Sequence, residues 1–170
     1  MGIDPSQWCF ETDKQGHVMP KGNYLSLTGY RLPTEAEVEY ATRAGAATSR
    51  FYGESEALLV KYGWIVPNSA GQLGPVGRLK PNDFGLFDVH GNIWCWCMEP
   101  KRELPTGKLG QMLEDREFEV SINPQEERVL HGNCYTDHAS SVGSYSRWGR
   151  VPERETNIIG FRLARTIVRE

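Results

Sequence analysis

The stretch Arg31-Leu-Pro-Thr-Glu-Ala-Glu-Val-Glu-Tyr-Ala41 contains the clearest helix signal in the chain. Thr34 is a good N-cap, and Glu37, three residues later, completes a capping box that satisfies two backbone N–H groups. Glutamates in the first turns also suit the positive end of the helix dipole. Gly45 is suited to end the helix in a left-handed conformation. The pattern therefore predicts a helix over 34–44.

Outward from this helix, the sequence is mostly irregular. The segment 54–62 predicts a second, short helix, and 63–92 is dense in Gly, Pro and Asn, which predicts short strands between turns. The segment 99–127 is a long polar loop without a convincing period. One clear helix, short antiparallel strands and much irregular loop indicate the α+β class. The predicted strands are Gly91–Cys97, Arg128–Leu130 and Gly160–Thr166.

The composition is that of a globular chain about one domain long. Its 170 residues are 39% hydrophobic and 11% aromatic, and the formal net charge is −3. So mild a charge gives no reason to expect nucleic acid or an anionic membrane as a partner. No apolar run approaches the roughly 18 residues of a membrane helix, and no secretory signal is visible. We therefore expect a cytoplasmic protein.

The chain divides into two predicted parts. Residues 1–29 are expected to be an N-terminal extension or linker, and 1–5 resemble a vector-derived scar. Residues 30–170 are expected to form the domain, with the long polar loop at 99–127 inside it.

The four cysteines are Cys9, Cys95, Cys97 and Cys134. They form no Cys-x-x-Cys pair and no cluster with zinc spacing, which favours free thiols in a reducing compartment. On a strand, Cys95 and Cys97 would share one face, with Trp94 and Trp96 on the other. We interpret the two cysteines as small core residues; a redox or metal pair is the alternative.

Three blocks of the chain carry a family resemblance. They are the helix stretch from Tyr30 to Ala41, the segment Val76-Gly-Arg-Leu-Lys-Pro-Asn-Asp-Phe-Gly-Leu-Phe-Asp-Val-His-Gly-Asn-Ile-Trp-Cys-Trp96, and a last block with the ends Arg128-Val-Leu-His-Gly132 and Asn157-Ile-Ile-Gly-Phe-Arg-Leu-Ala-Arg165. Together they resemble the formylglycine-generating enzyme (sulfatase-modifying factor) family, in its planctomycete-like version. The resemblance implies a C-type-lectin-like fold. It also implies that an N-terminal part of the family domain precedes the helix and is missing here.

The resemblance implies that copper(I) ligands, if present, lie in the last block. The family's oxidase holds copper(I) between two cysteine thiolates, and thiolate sulfur selects that soft ion. Alignment from Gly132 and from Gly160 puts those positions within 136–141, which read Thr-Asp-His-Ala-Ser-Ser. We therefore expect no copper in this chain and no catalytic residues.

The resemblance also implies two calcium sites. One uses Asp88 with the backbone carbonyls of Gly91 and Ile93, and Cys95 stands where the family has a carboxylate. The other uses Asn68 and neighbouring carbonyls. Calcium prefers six to eight oxygen ligands, acidic ones included. Calcium is thus the one cofactor that we expect; the alternative is that these turns keep their shape without metal.

The last block has the residues of a binding surface. Large amphipathic rings give contact area at low entropy cost, and Ser and Gly give adaptable hydrogen bonds. We predict a ligand-binding surface within 131–158; the alternative is that its aromatic side chains fill the core. The candidate ligand-binding residues are Tyr135, Thr136, His138, Tyr145, Trp148 and Arg150.

These patterns leave three functions open. The favoured one is a non-catalytic module that binds a protein or a small ligand through 131–158. Variable proteins made by diversity-generating retroelements use the same fold and diversify the same stretch, so the chain also resembles such a protein. The alternatives are an oxidase that converts a substrate cysteine to formylglycine and so activates sulfatases, and a structural domain appended to a signalling or enzymatic partner. Neither the ligand nor the oligomeric state follows from the sequence.

Overall fold

A computed structural model describes residues 2–103, 122–153 and 156–167 of the protein. Residues 104–121, most of the predicted polar loop, lie outside this part of the chain. The helices are α1 (Glu35–Arg43) and the short α2 (Val66–Ser69). The strands are β1 (Phe10–Thr12), β2 (Val18–Pro20), β3 (Gly63–Trp64), β4 (His90–Gly91), β5 (Trp94–Pro100), β6 (Arg128–His131), β7 (Arg147–Arg150) and β8 (Ile159–Gly160).

Helix α1 begins with the predicted capping box. The Thr34 hydroxyl accepts a hydrogen bond from the Glu37 N–H at 3.1 Å, and the Glu37 carboxylate accepts one from the Thr34 N–H at 2.9 Å. The same carboxylate accepts two hydrogen bonds, each 2.6 Å long, from the buried guanidinium of Arg31. The helix ends one residue earlier than predicted, because Ala44 (φ 49°) already adopts the left-handed conformation that Gly45 continues. Arg31 and Glu37 thus fix the helix start to the chain that precedes it.

The central sheet has the strand order β7-β6-β5-β8. Strand β6 is antiparallel to both β5 and β7, and β8 runs parallel to β5. Two smaller sheets are the antiparallel β1–β2 hairpin and the parallel β3–β4 pair. The fold therefore has two parallel pairs, β5–β8 and β3–β4, as well as the antiparallel ones expected from the sequence. Helix α1 contacts β5 and β6.

Three predicted elements differ in their bounds. The predicted strand Gly91–Cys97 is split between β4 and β5, because Asn92 has φ 65° and a left-handed residue does not continue a strand. The strand predicted over Gly160–Thr166 stops at Gly160, and Ala164 then makes an isolated antiparallel bridge with Arg31. The helix predicted over 54–62 is a 3₁₀ helix, Glu56–Lys61.

Two buried clusters form the core. Leu59, Ile65 and Val142 make the first, and Trp94, Leu130 and Cys134 make the second. The second cluster includes Leu130 and Cys134 of the last block together with Trp94 of β5, so this block packs against the central sheet. All four cysteines are buried and unpaired, which confirms the prediction of free thiols and the interpretation of Cys95 and Cys97 as core residues.

The first residues pack against the rest of the chain. The Cys9 thiol lies 3.3 Å from the Gly29 carbonyl oxygen, and the Thr166 hydroxyl donates to the Leu25 carbonyl at 2.6 Å. The domain division at residue 30 stays a prediction. Within the described part of the chain, every helix is too short or too polar to span a membrane.

Candidate functional site

A cleft of about 610 Å³ opens in the last block of the sequence. It lies where β5 and β7 face the loop that runs from 132 to 146. Much of the segment 136–141 lines it, so the cleft coincides with the place where the resemblance puts the family's copper thiolates. The lining residues are Trp94, Asn133, Cys134, Thr136, Asp137, Ser141, Tyr145, Ser146, Arg147, Trp148 and Ile158.

Asn133 fixes the floor of this cleft. Its backbone is left-handed (φ 68°), which asparagine tolerates better than most residues, and it follows Gly132 at φ 107°. Its amide nitrogen donates to the Asp137 carboxylate at 3.2 Å and to the Ser141 carbonyl at 3.4 Å. Both of those partners are acceptors, so the amide nitrogen must face them. The amide oxygen, Oδ1, is therefore left buried without a hydrogen-bond partner in the described structure.

Asp137 and Cys134 stand beside that amide. One carboxylate oxygen of Asp137, Oδ2, accepts from the Cys134 N–H at 2.9 Å as well as from Asn133. The Cys134 thiol lies 3.1 Å from the Thr136 hydroxyl. Burial raises the pKa of Cys134 above its ordinary value, so this thiol is protonated at neutral pH. A protonated thiol is a poor nucleophile and a poor metal ligand.

The opposite wall of the cleft is apolar. The Trp94 and Trp148 rings are tilted against each other with their centroids 5.9 Å apart, and Ile158 packs beside them. Tyr145 stands at the rim, with 56% of its surface exposed. Such a wall offers large contact area at low cost in side-chain entropy.

Arg147 brings a positive charge to the cleft, but that charge is already paired. Its guanidinium donates to both carboxylate oxygens of Glu35, at 2.5 and 2.9 Å, and to the Arg102 carbonyl at 2.9 Å. Glu35 lies on α1, so this fork ties the cleft to the helix. A bidentate pair of this kind leaves little of the guanidinium for a ligand.

The structure brings together three of the six predicted ligand-binding residues. Thr136, Tyr145 and Trp148 line the cleft. Tyr135 is buried, and its carbonyl accepts a hydrogen bond from the Ser69 hydroxyl at 2.9 Å. His138 is exposed outside the cleft, and Arg150 stacks on the Trp148 ring 5.4 Å from its centroid. Residues 154 and 155 of the predicted surface lie outside the described residues.

Asn133 and Asp137, two of the polar residues that line the cleft, were not predicted as ligand-binding residues. A signal for them was available: an asparagine after glycine suits a left-handed turn, and an aspartate nearby often accepts backbone N–H groups. Nothing in the local sequence showed that Glu35 pairs with Arg147, because that contact joins distant segments.

The residues of the cleft do not fit a two-thiolate copper site. Thr136 and Ser141 line the cleft with hydroxyls, and Cys134 is its single cysteine. Among the described residues there is also no cluster of three or more His, Cys, Asp or Glu side chains suited to a metal ion. The cleft therefore lacks the second thiolate that a copper(I) site of this kind needs.

At the predicted calcium site around Asp88, some features favour calcium binding and others oppose it. Asp88 is buried, its Oδ2 accepts from the Gly77 N–H at 2.8 Å, and its Oδ1 has no hydrogen-bond partner in the described structure. A buried carboxylate oxygen of this kind suits a hard cation. However, the guanidinium of Arg162 donates to the Asp88 carbonyl at 2.6 Å and lies beside the Cys95 thiol. A calcium ion would bind Asp88 and the carbonyls of Gly91 and Ile93 next to that positive charge, and its binding stays a prediction.

The predicted site at Asn68 is occupied by hydrogen bonds within the chain. The Asn68 side-chain oxygen accepts from the Ile65 N–H at 2.9 Å, and its nitrogen donates to the Val60 and Gly63 carbonyls. These bonds cap the short α2 and hold the loop before it. Metal binding at Asn68 also stays a prediction.

Comparison with known proteins identifies one family and several relatives. Residues 6–167 match the family described as the Sulfatase-modifying factor enzyme 1-like domain. The formylglycine-generating enzyme of Thermomonospora curvata is 34% identical over 162 residues, which are 83% of this chain and 51% of that enzyme. The mouse protein named inactive C-alpha-formylglycine-generating enzyme 2 is 28% identical over 158 residues, 84% of this chain and 45% of that protein. The chain spans about half or less of the length of the curated relatives it matches.

Among solved structures, Treponema denticola variable protein 1 is similar with a TM-score of 0.76. The sequence identity is 26%, and the match covers 91% of this chain and 61% of that one. The match confirms the predicted α+β class and the C-type-lectin-like, sulfatase-modifying-factor fold.

Proposed function

Because the chain belongs to the Sulfatase-modifying factor enzyme 1-like domain family, whose members include enzymes, we propose that it uses the family scaffold for binding and not for catalysis. The binding surface is the cleft of the last block, within 131–158. Its ligand is a protein or a small molecule held between the aromatic wall and the polar floor.

One observation carries this proposal. At the place where the resemblance puts two copper thiolates, the cleft presents the hydroxyls of Thr136 and Ser141. Hydroxyls do not select copper(I). The thiol that remains, Cys134, is buried and has a raised pKa. The framework around the cleft is kept, while the groups that would perform the oxidation are replaced by groups suited to hydrogen bonding.

The similarity to Treponema denticola variable protein 1 supports the same proposal. That protein is called variable, and the match covers 91% of the present chain. Two aromatic residues of the cleft, Trp94 and Trp148, lie on strands β5 and β7, while Ser141, Tyr145 and Ser146 lie on the loop 132–146 that leads into β7. This arrangement suits a surface whose residues are changed to fit different ligands. We propose that the chain is a retroelement-diversified variable protein of this type.

The alternative function is formylglycine generation. It is favoured by the relatives that carry this name, at up to 37% identity over part of the chain, and by the presence of one thiol, Cys134, in the cleft. Under this alternative, Cys134 would be needed for turnover.

The test incubates the protein with Cu(I) and a Cys-x-Pro-x-Arg peptide and follows the peptide by mass spectrometry. A formylglycine-generating enzyme serves as the positive control, and Cys134→Ser is the matched variant. We expect no aldehyde product from this chain. Turnover that disappears on chelation and in the Cys134→Ser variant would establish the oxidase and overturn the binding proposal.

A further inference from the structure

We propose that the floor of the cleft binds an alkylammonium group, as carried by a lysine side chain. This inference rests on the proposed function and specifies its ligand class. It follows from the charge of Asp137, the unpaired oxygen of Asn133, the pairing of Arg147 and the aromatic wall.

The first step is the charge balance of the cleft. Its charged lining residues among the described residues are Asp137 and Arg147. Arg147 is neutralised by the bidentate contact with Glu35. The Asp137 carboxylate has hydrogen-bond donors from Cys134 and Asn133, but no cation within salt-bridge distance in the described structure. The charge left for a ligand is therefore negative, and it favours a cation.

The second step is the unpaired oxygen of Asn133. Asn133 lines the cleft and is 2% exposed as a residue, and its amide oxygen is buried without a hydrogen-bond partner in the described structure. A buried acceptor without a donor costs free energy, and a ligand that supplies the donor recovers that cost. A ligand that donates hydrogen bonds is thus preferred over one that only accepts them.

The hydrogen bonds of Asp137 favour an ammonium over a guanidinium. A guanidinium binds a carboxylate best through a planar fork that uses both carboxylate oxygens. At Asp137, Oδ2 already accepts two hydrogen bonds, so a fork that uses both carboxylate oxygens would compete with them. An ammonium is a compact charge with three donors that point in different directions. It suits one carboxylate oxygen and one amide oxygen as separate acceptors.

The fourth step concerns the rest of the ligand. A lysine has an apolar stem of four carbons, which packs along apolar surface while its charged end stays at a polar site. Trp94, Trp148 and Ile158 supply such a surface. An exposed Tyr145 ring stands at the rim. Aromatic faces of this kind attract cations.

The test titrates small probes into labelled protein and follows the Trp94 and Trp148 indole resonances by NMR. The probes are Nα-acetyl-lysine N-methylamide, the norleucine compound of similar length without charge, the arginine compound and n-pentylamine. We expect the lysine compound to bind about fivefold more tightly than the norleucine one, as for a partly exposed charge contact. We expect the arginine compound to bind more weakly than lysine.

Two variants locate the contact. Asp137→Asn keeps an acceptor for the Cys134 N–H but removes the charge, so it should reduce lysine binding to the level of norleucine. Asp83→Asn changes an exposed aspartate outside the cleft and should leave lysine binding unchanged. Pentylamine binding as tight as that of the lysine compound identifies a free amine as the ligand type, and weaker binding identifies a polypeptide; both agree with the inference.

Equal affinity for lysine and norleucine compounds, or an Asp137→Asn variant that binds lysine normally, overturns the ammonium inference and leaves the cleft as a binding surface. Absence of any indole shift with all four probes also overturns the inference. The proposed function is tested separately by the copper and peptide assay, which uses none of these probes.

Discussion

The start of helix α1 and the loop 132–146 differ in how far their polar groups are hydrogen-bonded within the chain. At the helix start, Glu37 accepts hydrogen bonds from Thr34 and from both terminal nitrogens of Arg31, so its charge is used within the chain. In the loop, the Asn133 amide oxygen has no partner in the described structure, and the Tyr145 ring faces solvent. The contrast shows that the helix start uses its polar groups within the chain, while the loop has an amide oxygen without a partner in the described structure and an exposed aromatic ring.

The two regions are linked by one contact. Glu35 in the first turn of α1 holds Arg147 at the edge of the cleft, through hydrogen bonds of 2.5 and 2.9 Å. Helix α1 thereby positions the first residue of β7 at the edge of the cleft. Changes at the helix start should therefore affect unfolding, and changes in the loop should affect binding.

The largest effect is expected at Glu37. Glu37→Ala removes the capping box and leaves the buried Arg31 guanidinium without its carboxylate, which should lower the free energy of unfolding by about 3 kcal/mol. Glu39→Ala is the matched control on the same helix, because Glu39 makes only the i,i+4 contact with Arg43 at 2.7 Å. It should change stability by about 0.5 kcal/mol or less. Urea unfolding measures both, and equal losses would contradict the assignment of stability to the helix start.

The second effect is a pH dependence that comes from a buried histidine of the framework. His90 is fully buried and stacked on Phe51, with 5.5 Å between the ring centroids. Burial, with smaller contributions from Arg50 and His131, lowers its pKa from 6.5 to about 3. The unfolded chain therefore binds more protons below pH 6.5, and stability is complete above that pH and falls as the pH is lowered towards 3. From pH 7 to pH 5 the loss due to His90 is about 2 kcal/mol.

Urea unfolding at pH 7 and pH 5 checks this prediction. His90→Phe keeps a ring against Phe51 and should remove about 2 kcal/mol of the pH-dependent loss. A His90→Phe variant with the native pH dependence would show that His90 is not the titrating group.

The third effect is calcium binding at Asp88. The free Oδ1 of Asp88 is a suitable ligand, but the neighbouring Arg162 and the thiol at Cys95 weaken the site. We therefore expect a dissociation constant on the order of 1 mM, so that calcium at about 5 mM adds about 1 kcal/mol of stability. This corresponds to a rise of about 3 °C in Tm. Differential scanning calorimetry with calcium and with EDTA should show the rise in Tm for the native chain and not for Asp88→Asn. An unchanged Tm of the native chain would contradict calcium binding at Asp88.

The smallest effect is expected at the rim of the cleft. Tyr145→Ala should change the free energy of unfolding by about 0.5 kcal/mol or less, because the ring is largely exposed. Val142→Ala, three residues earlier in the same loop, removes methyl groups from the buried cluster with Leu59 and Ile65 and should cost about 2 kcal/mol. Thermal unfolding of the two variants separates the outer from the inner side of the loop. A larger loss for Tyr145→Ala would show that this ring is structural.

The helix was predictable from the sequence because its determinants are local. Thr34 and Glu37 are three residues apart, and the capping box forms as expected. The strand predicted over Gly91–Cys97 was not placed correctly, because Asn92 adopts a left-handed conformation that the strand pattern does not reveal. The choice between a left-handed and an extended asparagine depends on its neighbours in space.

The candidate site was only partly predictable for the same reason. Tyr145 and Trp148 stood out by residue type, and both line the cleft. Tyr135 is of the same type but is buried, as are its neighbours Cys134 and Asn133. Arg147 would count as a binding residue by its charge, yet Glu35, distant in sequence, neutralises it. Burial and long-range pairing decide these roles, and neither is visible in a local pattern.

The most direct test of the central claim measures copper(I) bound per chain, under anaerobic conditions with a competing chelator. The claim is that hydroxyls at Thr136 and Ser141 have replaced the thiolates of the cleft. The account predicts that the native chain retains no copper, while the double variant Thr136→Cys, Ser141→Cys gains one equivalent. One equivalent of copper(I) held by the native chain would contradict it.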